Sequence, residues 1–477
     1  MKKNTFRSKN FLIFLVFLFV GTNFFFASCK KEPVLAANTG GNEVNYKAQV
    51  DIRDSAYLYT KEIYLWEELL PAIETFKPRN STDVFAVMAK VRDFQPLDHF
   101  SFVEKKTDTD QSNQGLDTDF GFLVKYALDG SLRISYVYSA SPGGQAGVVR
   151  GWEVQKINGK TIDRSSKSDI DYLNNIFFGT PQSASFQFLK PDGSTVILNI
   201  PKGTYPLNTV LYRNVFTTGG KKAGYFVFNQ FSGPSSVTEL VNTFDYFQVN
   251  GINELIIDLR YNRGGFVSTQ DTLANMIAPQ SVGVGQKVMY QYIFNQKYSE
   301  WNDKTMFHKV NSLNLTRVLF IVTPSSASAS ELLINNLRPV MDVKLVGENH
   351  TYGKPVGFFP IPVFDYNIYP VSFKTVNSVG SADYYAGFTV DKITADDLQR
   401  DFGDVNETSL KEALNYINTG GFSAIASNKI MSVGSGLSLP QLESVNSHLD
   451  ANVHKIEVEN RPDKMPKPIR DLQRKIK

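Results

Sequence analysis

Four serines lie within six residues in the segment PSSASASELL, Pro324 to Leu333. The apolar run Val318–Val322 before them predicts a buried strand, and the composition of Ala329–Leu337 after them favours a helix. The first turn of a helix presents free N–H groups and the positive end of the helix dipole, which stabilise developing negative charge. One of these serines could therefore be a nucleophile. On this segment alone, a cluster of N-capping serines is the simpler interpretation, because serine is a favoured N-cap.

A lysine and a pair of glycines follow two other apolar runs. GENHTYGKP, residues 347–355, brings Lys354 on a glycine turn, and LIIDLRYNRGG, residues 255–265, ends in a double glycine where backbone can approach a substrate closely. A lysine has an ordinary pKa near ~10.4, so it accepts a proton at neutral pH only where burial or a cationic neighbour lowers that value. The apolar residues after Lys354 suit such burial. His350 is the alternative base, although no carboxylate is clearly presented to orient it.

The three motifs SASASE, TYGK and DLRYNRGG together resemble those of the C-terminal processing proteases, S41-type serine peptidases with a Ser/Lys dyad and often a PDZ domain. The resemblance implies that Ser328 is the nucleophile and Lys354 the general base. It also implies an oxyanion hole formed by the N–H groups of Ala329 and of Gly264 or Gly265. It implies no metal and no other cofactor. Ser326 and Ser330 then have turn and cap roles.

One position departs from the family pattern. The family commonly has a glutamine four residues after the lysine, where this chain has Phe358. The leading alternative to a peptidase is therefore a non-catalytic peptide-binding scaffold of the same fold, a pseudopeptidase. An esterase that uses the same hydroxyl is a weaker alternative.

Residues 120–201 are predicted to form short strands separated by turn residues. Within them, SASPGGQAGVVRGWEVQKINGKTI, residues 139–162, resembles the PDZ signature. The resemblance implies that Gly121, Phe122, Leu123 and Val124 bind the C-terminus of a polypeptide, through backbone N–H groups at a glycine turn and an open strand edge. The alternative is a small β-sandwich without a ligand.

The first residues are typical of a secretion signal: a basic start, the apolar segment NFLIFLVFLFV, and small residues before Cys29, the only cysteine. FASC resembles the lipobox of bacterial lipoproteins, which implies lipidation of Cys29 and attachment to a membrane of the bacterial cell envelope, facing the periplasm or the exterior. A permanent transmembrane helix is the alternative. A net charge of +3 from 50 basic and 47 acidic residues does not favour a nucleic-acid partner.

The predicted fold class is a multidomain α/β (α+β) protein, in which a catalytic domain has a mixed sheet covered by helices. The capping-box pattern of Ser268 and Asp271 predicts the start of one of these helices. The expected division of the chain is a signal peptide (1–28), a flexible tether (29–45), an N-terminal helical domain (46–110), a PDZ-like domain (111–205), the serine peptidase domain (206–422) and a C-terminal tail (423–477).

Overall fold

A computed structural model describes residues 51–107, 115–424 and Asn446. The predicted signal peptide, Cys29, the tether and most of the tail lie outside these residues. The first region contains helices α1 (Ile52–Ile63), α2 (Ile73–Phe76) and α3 (Val84–Arg92) and strand β1 (Phe102–Lys105). These helices share a hydrophobic core with the third region described below. The segment predicted as a helical domain therefore packs directly on the predicted peptidase domain.

The second region consists of short strands and two helices, in agreement with the pattern of turn residues in its sequence. Its elements are β2 (Leu116–Asp119), β3 (Phe122–Tyr126), β4 (Leu132–Val137), α4 (Pro142–Gln145), β5 (Glu153–Ile157), α5 (Lys167–Phe178), β6 (Ser183–Leu189), β7 (Thr195–Pro201) and β8 (Gly203–Pro206). Five strands form an antiparallel sheet in the order β3-β4-β5-β6-β7. Strand β3 is therefore an edge strand.

The third region carries the motifs of the predicted peptidase. Its strands are β9 (Val210–Thr218), β10 (Lys221–Phe228), β11 (Glu254–Asp258), β12 (Val284–Phe294), β13 (Lys304–His308), β14 (Arg317–Val322), β15 (Asp342–Gly347), β16 (Val356–Phe358), β17 (Ile361–Val363), β18 (Tyr366–Tyr369), β19 (Val371–Asn377) and β20 (Lys392–Ile393). Its helices are α6 (Gly233–Asn250), α7 (Val267–Ile277), α8 (Ala329–Leu337) and α9 (Thr408–Thr419). Helix α7 begins after Phe266 without a side-chain cap, so the predicted capping box of Ser268 is wrong.

The main sheet has the strand order β20-β15-β14-β11-β10-β9, and all neighbouring strands are parallel except β9 and β10. A second sheet has the order β13-β12-β19-β16. Because β11, β14 and β15 are parallel neighbours, the loops that follow them meet at one edge of the sheet. Those loops are the three that carry the glycine pair, the serine cluster and the lysine.

The described residues thus contain several sheets covered by helices, and the predicted mixed α/β fold class is confirmed. No helix among the described residues is long and apolar enough to cross a membrane.

A buried ionic cluster joins the second and third regions. Arg150, which follows α4, donates to Asp396 at 2.9 Å, and Arg260 donates to Asp258, Asp396 and Glu407 at 2.8 to 2.9 Å. Burial raises the pKa of Asp396, but the guanidinium groups of Arg150 and Arg260 outweigh burial and hold this pKa well below its usual range. Asp258 and Arg260 therefore form part of a structural ion network.

Candidate active site

The serine cluster forms the turn between β14 and α8. Ser328 is the N-cap residue of α8 and has φ 54° and ψ −106°. This backbone conformation is costly for a residue with a side chain, and such strain is concentrated at functional sites. The geometry places Ser328 at the N-terminus of a helix whose nine residues are all buried.

Two neighbouring serines form hydrogen bonds between this turn and the loop after β11. The Ser326 hydroxyl donates to the Leu259 carbonyl at 2.7 Å and accepts from the Thr323 N–H at 3.0 Å. The Ser330 hydroxyl donates to the Asn262 carbonyl at 3.0 Å. Both serines are fully buried. Their hydroxyls satisfy backbone groups that would otherwise be buried without partners, so these serines hold the turn in position.

The loop after β11 is held in turn by Asn262. Its side chain donates to the Phe228 carbonyl at 2.9 Å and accepts from the Gly264 N–H at 2.8 Å. Gly265 has φ 134°, and a Cβ atom there would lie 2.3 Å from the Phe231 carbonyl oxygen. Only glycine fits at this position. Since Asn262 takes the Gly264 N–H, the geometry favours Gly265 over Gly264 as an oxyanion donor.

A single buried carboxylate, Glu331, connects the serine turn to the lysine loop. One oxygen accepts from the Ser328 N–H at 3.0 Å and from the Lys354 N–H at 2.8 Å. The other accepts from the Thr351 hydroxyl and the Gly353 N–H, both at 2.6 Å. Glu331 is the last residue of the SASASE motif, and its role was not predicted from the sequence. The S-x-x-E pattern of a capping box is the signal that could have identified it.

Burial raises the pKa of Glu331 to about 7, although its four hydrogen bonds act in the opposite direction. Its protonation state therefore changes near neutral pH. A protonated carboxyl group has fewer acceptor sites than a carboxylate, so protonation weakens the connection between the two loops.

Ser328, Ala329, Lys354 and Gly265 line one pocket. The other lining residues are Val267, Leu332, Pro355, Val356, Gly357, Phe358, Phe373, Thr375 and Tyr384. The structure thus brings together the predicted nucleophile, the predicted base and two of the three predicted oxyanion donors. Gly264 does not line this pocket.

The amine of Lys354 lies among aromatic rings. Its Nζ is 4.1 Å from the ring centroid of Phe358 and 5.7 Å from that of Phe100. Phe358 packs against Phe102 and Tyr369, with centroids 5.2 Å and 5.7 Å apart. A ring face attracts a cation. The position where glutamine was expected is therefore occupied by a buried ring in contact with the lysine side chain.

His350, the alternative base, does not line the pocket that Ser328 and Lys354 share. Its Nδ1 lies 2.6 Å from the Thr351 carbonyl oxygen. Among the described residues there is also no group of three or more histidine, cysteine, aspartate and glutamate side chains arranged to hold a metal ion.

The predicted peptide-binding residues Gly121, Phe122, Leu123 and Val124 lie at the start of the edge strand β3. Gly121 has φ 79°, and its N–H donates to Asp119 at 2.6 Å. A peptide carboxylate at this turn would therefore use the N–H groups that follow Gly121.

The third region is similar in sequence to known peptidases. Residues 222–383 match the model of peptidase family S41. The chain is 30% identical to a carboxyl-terminal-processing protease of Picosynechococcus sp. over 173 residues, which are 36% of this chain and 39% of that one. It is 24% identical to carboxy-terminal processing protease CtpA of Bacillus subtilis over 226 residues, 47% of this chain and 45% of that one.

A crystal structure of a candidate S41 protease from Bacteroides fragilis is 25% identical, with a TM-score of 0.58, and the match covers 78% of this chain and 97% of that one. The alignments with the two curated relatives span less than half of those relatives' length. Residues 222–383 thus match peptidase family S41, and the chain is similar to the carboxyl-terminal processing proteases.

Proposed function

We propose that this protein is a serine endopeptidase that cleaves unstructured or C-terminally tagged polypeptides in the bacterial envelope. One observation carries the proposal. Ser328 and Lys354 line the same pocket, and the backbone N–H groups of both donate to the same oxygen of Glu331. Two residues that are 26 positions apart in the chain are thereby held at one site.

In the proposed reaction, the Ser328 hydroxyl oxygen attacks the carbonyl carbon of the scissile peptide bond while the Lys354 amine accepts the hydroxyl proton. The N–H groups of Ala329 and Gly265 stabilise the oxyanion. When the C–N bond breaks, Lys354 returns the proton to the leaving amine. A water molecule then attacks the acyl-enzyme ester, with Lys354 again accepting and returning a proton, and releases the new carboxyl terminus and Ser328.

The second region supplies the substrate-binding part of this proposal. The open edge of β3 offers backbone groups to which an extended polypeptide tail can add as a further strand. In this role the second region acts as the PDZ-like domain that its sequence resembles, and it binds substrates by their C-termini.

Attachment to the envelope membrane through a lipid on Cys29 completes the proposal. In cells fed an alkynyl fatty acid, the wild-type protein should become labelled with that fatty acid. Cys29→Ser should remain unlabelled. Equal labelling of both proteins would contradict this part of the proposal.

The contact between the Lys354 amine and Phe358 favours one alternative, a pseudopeptidase scaffold, because a ring face stabilises the charged amine, which cannot act as a base.

Cleavage of an unfolded substrate decides between the peptidase and the scaffold. Purified wild type, Ser328→Ala and Lys354→Met are incubated with unfolded casein, and the products are mapped by mass. We expect cleavage by the wild type only. Ser325→Ala and Lys344→Met, which alter residues that do not line the pocket, are the matched controls and should cleave normally. Undiminished cleavage by Ser328→Ala would refute the proposal, and no cleavage by any protein would favour the scaffold.

A further inference from the structure

A residue from the C-terminal part of the chain occupies the open edge of β3. The Asn446 side-chain oxygen accepts from the Tyr126 N–H at 2.9 Å, and its side-chain nitrogen donates to the Tyr126 carbonyl at 3.1 Å. Asn446 is 5% exposed and Tyr126 is 2% exposed. The contact joins residues 320 positions apart and uses both backbone groups of one strand residue.

The hydrogen-bond pattern of the sheet shows that these backbone groups face outward. Ile134 on β4 lies opposite Val124, but its N–H donates to Trp152 and its carbonyl accepts from Gly151, both at 2.9 Å. Val124 therefore belongs to a pair without mutual hydrogen bonds, and its own N–H and carbonyl face away from β4. Backbone orientation repeats every second residue along a strand, so Tyr126 has the same orientation as Val124.

The amide of Asn446 imitates what an added strand would present here. It has one carbonyl acceptor and an NH₂ donor, which are the groups that a strand residue offers to its neighbour. At the Tyr126 position it makes the pair of bonds that an extended peptide would otherwise make.

We propose that Asn446 makes the C-terminal part of the chain an internal ligand of the β3 edge, in competition with polypeptide tails that bind there. This inference rests on the peptide-binding role proposed above, but it does not depend on catalysis. A tail whose carboxylate binds at the turn before Phe122 would pair first with Val124 and two residues further along with Tyr126. A tail of about five residues or more therefore has to displace Asn446, whereas a shorter tail does not.

Peptide length provides the test. Unstructured peptides of four and ten residues, each ending in Leu-Ala-Ala with a free carboxylate, are titrated calorimetrically into full-length protein carrying Ser328→Ala, which prevents cleavage. Adding Asn446→Ala should tighten binding of the ten-residue peptide about tenfold and leave the four-residue peptide unchanged, because two competing hydrogen bonds are lost. Asn446→Asp keeps the acceptor and loses the donor, so its effect should be intermediate. Asn452→Ala is the matched control from the same part of the chain.

Hydrogen exchange measures the internal contact without any peptide. The Tyr126 amide should exchange at least tenfold faster in Asn446→Ala than in the wild type, while the amides of β6 and β7 keep their rates. Equal Tyr126 exchange in the two proteins would overturn the inference, and so would equal affinities for the ten-residue peptide or an equal gain in Asn452→Ala. If both effects are found in a protein that cleaves no substrate, the internal ligand stands and only the proposed catalytic function fails.

Discussion

Two fully buried carboxyl groups in this protein have opposite shifts in pKa. Asp396 lies in the ionic cluster between the second and third regions, where guanidinium groups hold its pKa well below the usual range. Glu331 lies beside the candidate active site and accepts hydrogen bonds from three backbone N–H groups and one hydroxyl, and its pKa is raised to about 7. Both groups are removed from water, so burial alone does not explain the difference.

The groups that contact each carboxyl explain the opposite pKa shifts. Full charges on Arg150 and Arg260 compensate for the lost hydration of Asp396, whereas the neutral dipoles around Glu331 compensate only partly. The ionic cluster around Asp396 and the hydrogen-bond network of Glu331 therefore have different roles. The ionic cluster fixes how the second region sits on the third, and the network of Glu331 positions two loops and responds to pH near neutrality.

The largest expected effect comes from breaking the ionic cluster. Arg260→Met removes the cation that contacts Asp258, Asp396 and Glu407, and it leaves buried carboxylates without one of their cations. We expect the free energy of unfolding to fall by about 3–5 kcal/mol. Urea denaturation at pH 7 measures this change. Arg213→Met is the control, because Arg213 is exposed. If Arg213→Met lowered the free energy of unfolding as much as Arg260→Met, the ionic cluster would contribute no more to stability than an exposed arginine.

A smaller loss of stability and a clear loss of activity should follow from Glu331→Gln. Glutamine has nearly the same shape but only one acceptor oxygen, and its NH₂ group would face one pair of the donors that now bind the carboxylate. We expect kcat/KM for an unfolded substrate to fall about a hundredfold, because Ser328 and Lys354 are no longer held together. A variant with wild-type kcat/KM would show that Glu331 does not position these residues.

The two carboxyl groups should also differ in how they affect stability as pH changes. Glu331 has a raised pKa, so its contribution is fully present below its unfolded value near ~4.3 and is lost as pH rises through about 7. Relative to Glu331→Gln, the wild type should lose up to about 1.4 kcal/mol per pH unit between pH 5 and 7. Asp396 has a lowered pKa, so its contribution is present above about pH 4 and is lost only in stronger acid.

Denaturation curves of the wild type and Glu331→Gln at pH 5, 6, 7 and 8 check this prediction. A constant difference between the two proteins over this range would contradict the raised pKa of Glu331.

The smallest expected effect concerns the ring beside the lysine. Phe358→Leu keeps the position apolar but removes the ring face that favours the charged amine of Lys354. Cleavage at pH 7 should become about twofold to fivefold faster. An unchanged or slower rate would show that the ring face of Phe358 does not hold back the reaction.

The sequence predicted the elements that position the site better than it predicted their connections. The apolar runs before Asp258, Thr323 and Gly347 form strands, and their parallel order explains why three distant motifs meet. The serine-rich turn lies at a strand-to-helix junction, as predicted, because an apolar run is followed there by a segment of helix-forming composition.

Other features depend on contacts between distant residues, which local patterns do not encode. The pairing of Asn446 with Tyr126 and the cluster around Asp396 each join residues separated by more than a hundred positions. The start of α7 also differs from the prediction, since Phe266, whose N–H donates to the Phe231 carbonyl, precedes it in place of a capping serine. The contact between Lys354 and Phe358 was not predictable from spacing alone, because it depends on how β16 packs.

Covalent labelling tests most directly whether Ser328 is a nucleophile activated by Lys354. Wild type, Lys354→Met and Ser328→Ala are treated with a fluorophosphonate, and the modified peptide is identified by mass. We expect one label on Ser328 in the wild type, at least a hundredfold slower labelling in Lys354→Met, and none at this peptide in Ser328→Ala. Labelling of Ser328 at the same rate without Lys354, or a label only on another residue, would contradict this activation.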